Sequence, residues 1–158
     1  MNIFEFARTK ETQSEAMYRE LAETAPNIGM KNIFTMLANG EKRHYQTIVK
    51  MEKDENADVT ECKILNDSRK VLAEMRSEKE KFNLKGEQVD IYREAQRSEE
   101  VSEAFYREKA REAKDEGQRK LFLNLAEEEH DHFTILDEII ILVGHPESTL
   151  ENAEFNRR

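Results

Sequence analysis

The sequence predicts an all-α protein, a left-handed four-helix bundle of two repeated antiparallel helix hairpins joined by a long crossover connector. Three observations lead there. The chain is rich in Glu, Lys, Ala and Leu and has only five Gly, two Pro and no Trp in 158 residues, a balance that favours long helices. It also repeats itself without gaps at an offset of 88 residues, "ETQSEAMYRELAETA" (11–25) lying on "EEVSEAFYREKAREA" (99–113) and "GMKNIFTMLANGEKRHYQTI" (29–48) on "GQRKLFLNLAEEEHDHFTIL" (117–136). Between 11–48 and 99–136, 15 of 38 positions are identical, too many for chance even in so Glu- and Ala-rich a chain. Finally, each of four segments carries inward-pointing positions at alternating steps of three and four, the mark of a bundle seam.

The first helix is expected over 3–25, with Phe4, Ala7, Glu11, Ser14, Tyr18, Leu21 and Ala25 as its seam. The second, over 29–53, follows a short loop around "APNIG" in which Gly29 separates the two helical patterns. Its seam is Phe34, Leu37, Glu41, His44, Ile48 and Met51. The connector, 54–86, is longer than a tight turn needs. Its middle, "DSRKVLAEMRSEKEK", reads as an extra amphipathic helix over 67–82 that returns along helices roughly 37 Å long. The third bundle helix, over 87–114, has the seam Tyr92, Ala95, Glu99, Ser102, Tyr106 and Ala113, interrupted by Lys109. The fourth, over 118–143, follows a loop around "KDEG" with Gly117 and carries Phe122, Leu125, Glu129, His132, Leu136, Ile139 and Val143. Residues 1–144 thus form one domain, and 145–158 a C-terminal tail of little periodicity.

Several function classes are excluded at this level. A formal charge of −9 with no basic cluster argues against nucleic acid as a partner. The start, "MNIFEFARTKETQ", is not a basic segment followed by a long apolar one, and no stretch approaches ~18 apolar residues, so no membrane partner is expected. The single cysteine, Cys62, rules out an intrachain disulfide and any CxxC cluster site. A soluble, cytoplasmic protein is the expectation, and a homodimer is compatible with it.

What remains is an anomaly in the seams. Each carries one glutamate at about the same distance from its hairpin turn, so Glu11, Glu41, Glu99 and Glu129 should meet at one level of the core. The stretch "EEEHDH" (127–132) contains two overlapping Glu-x-x-His pairs, either of which a helix would place on one face. Only Glu129 and His132 fall on the seam, and the repeat independently superposes them on Glu41 and His44. Glu127 and His130 should face solvent. Four ionised carboxylates in an apolar core are prohibitively costly without partners. Two divalent cations balance them, and oxygen donors mixed with imidazole suit iron or manganese. One Glu from each of two helices, with Glu-x-x-His from each of the other two, is a known di-metal arrangement of helical bundles.

With "LAEEEHDH", "FTMLANGEKRH" and the doubled "SEAMYRELA" and "SEAFYREKA", the sequence resembles the ferritin-like superfamily and, within it, the rubrerythrin-related erythrins. The likeness runs over residues 3–143. It implies two iron ions, or manganese or a mixed pair, with Glu41 and Glu129 bridging, Glu11 and Glu99 terminal, and His44 and His132 capping one metal each. It also implies catalytic roles for Tyr18 and Tyr106, which match the family's tyrosines seven residues beyond a ligand Glu, where the hydroxyl can reach a carboxylate across the site. Two departures matter. Rubrerythrins proper carry a rubredoxin-like iron centre held by CxxC pairs, and here the electrons must come from an external donor. They also have a further ligand glutamate three positions after the third-helix Glu, and here that place is Ser102. The activity implied is an oxidoreductase reducing peroxide or O2; the alternatives are a ferroxidase or iron-handling protein, and a non-enzymatic helical interaction module.

Overall fold

The computed structural model describes residues 2–59, 62–77 and 86–144. Its elements are α1 (Ile3–Glu23), α2 (Ile28–Glu52), α3 (Ile64–Ser77), α4 (Gly86–Glu112) and α5 (Glu116–Ile139), with a π-helical extension over Ile140–Gly144. There is no strand among the described residues, so the fold is all-α as the sequence predicts. α1 packs along α2 and α4 along α5, forming the two hairpins, while α3 lies across α2 and α5. None of the described helices is long and apolar enough to cross a membrane.

The helix starts are set by side-chain caps. Asn2 Oδ1 accepts from the Glu5 amide at 2.8 Å, Asn27 Oδ1 from the Met30 amide at 2.9 Å, and Asp115 Oδ1 from the Gly117 amide at 3.1 Å. Each satisfies an amide that the first turn would leave bare, a contribution of about 1 kcal/mol. The two glycines expected to separate the helices instead lie inside the first turns of α2 and α5, and neither has positive φ. The chain turns at 24–27 and 113–115 instead. Gly29 has a different use: a Cβ there would lie 2.8 Å from Met75 Sδ, so its bare backbone admits α3. At Gly117 an added Cβ meets only Asp115, at an ordinary 3.7 Å.

The expected connector helix over 67–82 begins three residues early, at Ile64, and is described as far as Ser77; residues 78–82 lie outside the described residues, as does the tail. Ile64, Ser68, Leu72 and Met75 form its buried stripe, which explains the early start, since Ile64 is the first apolar anchor. In α4 the seam slips by one position near its end. Ala110 is buried instead of Lys109, whose ammonium lies over the Phe105 ring, 5.6 Å from its centroid, and pairs with Glu112. The regular α5 pattern stops at Ile139, where the π-helical turn changes the period.

The core is divided into two apolar layers. One holds Leu21, Phe34, Leu37, Tyr92, Ile135 and Ile139 together with the α3 stripe. The smaller one holds Ala7, Ile48, Met51, Tyr106, Phe122 and Leu125. Between them lies a layer of buried charge.

Candidate metal centre

Glu11 on α1, Glu41 and His44 on α2, Glu99 on α4, and Glu129 and His132 on α5 all reach that central layer, and none is more than 2% exposed. They converge because each helix places its glutamate on the seam near mid-length. Their donor atoms form two groups, each within 4.8 Å: Glu11, Glu41, His44 and Glu129 in one, Glu41, Glu99, Glu129 and His132 in the other. Glu41 and Glu129 belong to both and so lie between two positions, with one terminal glutamate and one histidine on either side. His44 Nδ1 lies 2.6 Å from Glu129 Oε1 and 3.5 Å from Glu11 Oε2. His132 Nδ1 lies 2.8 Å from Glu41 Oε1 and 3.5 Å from Glu99 Oε1. The two imidazoles stack, with centroids 5.6 Å apart and planes 14° apart.

Electrostatics within the cluster are strained in a consistent way. Burial and the neighbouring carboxylates push Glu41 and Glu129 well above the usual carboxylate range. Burial acts the same way on Glu11 and Glu99, but His44 and His132 outweigh it and hold both below that range, Glu99 at about 2. Burial pushes the two imidazoles down, yet Glu11 lifts His44 well above its ordinary value and Glu99 raises His132. Glu41, Glu129 and the two histidines are thus shifted toward their protonated forms, and Glu11 and Glu99 toward the ionised form.

Even so, Glu11 Oε2, Glu41 Oε2, Glu99 Oε2, Glu129 Oε1 and His44 Nδ1 have no hydrogen-bond partner despite full burial. His44 Nδ1 and Glu129 Oε1 approach to 2.6 Å without forming a hydrogen bond. Such orphaned atoms cost free energy unless something satisfies them. Five of them facing one centre, oxygen and imidazole nitrogen together, fit a pair of divalent ions.

Tyr18 and Tyr106 tie the hairpins together reciprocally. Tyr18, on α1, donates its hydroxyl to Glu99 Oε1 at 2.5 Å, and Tyr106, on α4, donates to Glu11 Oε1 at 2.6 Å. Burial and the adjacent carboxylates push both hydroxyls well above their ordinary range, so both remain protonated donors. Of the competing pair in "EEEHDH", Glu127 and His130 are exposed, and His130 Nδ1 meets the rim residue Glu103, at 3.1 Å. Ser102, where rubrerythrins proper have a further glutamate, is buried one turn from Glu99.

One buried residue of the site escaped the sequence reading. Glu128 is 4% exposed, and its carboxylate pairs with His44 Nε2, the ring nitrogen facing away from the cluster. Burial pushes Glu128 up, but that hydrogen bond and the His44 charge hold it below the usual range. Its only sequence signal is a position four residues before His132 on the flank of the seam; its repeat counterpart, Gly40, has no side chain to reveal it. Glu128 also reaches a cleft of about 380 Å³ lined by Met36, Arg43, Cys62 and Lys63 among others. Burial raises the Cys62 thiol there.

Fold and site together define a class: a helical bundle of two related hairpins around a buried carboxylate–imidazole cluster able to hold metal ions. Within that class the rubrerythrin family model matches residues 2–140, and the chain belongs to the rubrerythrin family, whose members usually bind a di-iron centre. No curated protein and no solved structure matches closely enough to serve as a relative.

Proposed function

We propose that the protein is a di-iron oxidoreductase that reduces peroxide or O2 with electrons from an external donor. The observation that supports this most is the set of orphaned, inward-facing donor atoms in two groups that share Glu41 and Glu129. Glu11 and His44 would complete one ion's ligands and Glu99 and His132 the other's, with manganese or a mixed pair served by the same donors. Two iron(II) ions held there would supply one electron each, together the pair needed to cleave a peroxide O–O bond.

The remaining work falls to the chain's own residues. The apolar layers above and below keep bulk water from the cluster. Tyr18 and Tyr106 hold Glu99 and Glu11 in place and carry protons at their hydroxyl oxygens, one at each end of the site. Net charge −9 favours a protein that stays in solution.

Mixing the iron(II)-loaded protein anaerobically with peroxide, and separately with O2, in a stopped-flow instrument tests the reading. The expected result is fast oxidation with iron retained, and repeated turnover once a reductant is added. Oxidation followed by release of iron would make iron the substrate and the protein an iron handler. No oxidation by either would overturn the proposal.

A further inference from the structure

We infer that Glu128 is a positioning residue for His44 and that, with Gly40 in the equivalent place beside His132, it makes the two metal positions unequal, the His44 position being the tighter. This rests on the di-metal reading of the same site.

The two imidazoles differ at their outer edges. His44 turns Nδ1 toward Glu129, Glu11 and Glu41. Its Nε2 pairs with the buried Glu128 carboxylate. A carboxylate there accepts the Nε2 proton, which leaves the Nδ1 lone pair facing the cluster and fixes the ring's tautomer and plane. An imidazole so held is a more basic ligand, and loss of such an outer partner typically lowers metal affinity roughly 10–100-fold.

The other half of the molecule cannot copy this. The 88-residue repeat that superposes Glu41 on Glu129 and His44 on His132 also superposes Gly40 on Glu128. The carboxylates that His132 meets, Glu41 and Glu99, are both on its Nδ1 side. A Cβ built at Gly40 would lie 3.0 Å from His132 Nε2 and 3.1 Å from its Cε1. Even a methyl group would press on the ring, which would have to give by a few tenths of an ångström, and Gly40 offers no carboxylate where the symmetry calls for one. The same sequence position thus serves one histidine with a carboxylate and makes room for the other.

The test is an anaerobic titration of the metal-free, full-length protein with cobalt(II), followed by calorimetry and by visible absorption. Wild type should take up two ions in two steps, with affinities that differ by roughly 10–100-fold. Glu128→Gln, which keeps shape and removes charge, should weaken the tighter step about tenfold and leave the weaker one unchanged, and Glu128→Ala should bring the two steps together. Gly40→Ala should weaken only the second step. In the zinc-loaded protein, imidazole nitrogen shifts should report His44 ligated through Nδ1 and protonated at Nε2, a signature that a merely structural role for Glu128 would not move on substitution. Two equivalent steps in wild type, or a Glu128→Gln protein of normal fold with both affinities within twofold of wild type, would overturn the inference while leaving the metal centre standing. No uptake by wild type would overturn the metal reading and the inference together.

Discussion

Replacing Tyr106 by Phe removes a single oxygen atom from the smaller apolar layer. That oxygen donates to Glu11 Oε1 at 2.6 Å, from a residue 1% exposed to one 2% exposed. The acceptor is a carboxylate held below its usual range, so the bond is charge-assisted and contributes about 1.5–3 kcal/mol. Glu11 would then lose its donor at Oε1 while Oε2 already has none. For a chain of this size each kcal/mol moves Tm by about 2–4 °C, so a loss near 2 kcal/mol should lower the Tm of the metal-free protein by about 4–8 °C. Tyr18→Phe should act alike through Glu99. Tyr45→Phe, at a position 36% exposed, should change Tm by no more than about 1–2 °C. Thermal unfolding followed by circular dichroism or calorimetry decides the matter. Tyr106→Phe and Tyr18→Phe proteins that unfold within a degree of wild type would refute the claim that these hydroxyls anchor the terminal carboxylates.

Three further outcomes are expected. His132→Ala should lose most metal at one position, and His130→Ala, which removes an exposed ring, almost none; equal losses measured by elemental analysis would sink the choice of register. In the metal-free chain, burial and neighbouring carboxylates raise Glu41 and Glu129, and Glu11 and Glu99 raise the two histidines against the effect of burial. Groups raised on folding lend stability at low pH that drains away as pH climbs through their folded values, whereas the lowered Glu11 and Glu99 act only below the carboxylate range. The Tm of the metal-free protein should therefore fall as pH rises out of the carboxylate range and through neutrality while that of the loaded protein falls less, and a constant gap would contradict this. Ser102→Glu puts a carboxylate on the seam one turn from Glu99. It should raise peroxide turnover with iron retained, and unchanged turnover would show that the absence of a glutamate at Ser102 does not limit peroxide reduction.

The bundle was legible because its seams are long and regular and because the repeat states the same register twice. Glu129 with His132, and Glu41 with His44, stand where both signals agree, and the structure brings them together with Glu11 and Glu99 in one buried layer. What escaped lies where those signals lapse. Glu128 sits beside the seam, and its repeat partner is a glycine, so neither periodicity nor symmetry marks it. Gly29 looked like a turn residue because glycine commonly ends helices; its use is to let Met75 approach, a contact between distant segments that no local pattern records. Asn27 and Asp115 cap the helices, and their chemistry was present in the sequence but outranked by the glycines that follow. At the end of α4, seam periodicity alone does not separate Lys109 from its neighbour Ala110; the lysine is accommodated with its ammonium over the Phe105 ring and paired with Glu112.

The most direct test of the central claim is the metal content of the purified protein, measured by elemental analysis before and after the six residues Glu11, Glu41, His44, Glu99, Glu129 and His132 are singly replaced. Wild type should carry two transition-metal ions per chain, iron or manganese, and each replacement should reduce that number, with Glu41 and Glu129, which lie between the two positions, reducing it most. A protein that binds no metal, and whose fold and Tm are unchanged by chelation and by these replacements, would contradict the account.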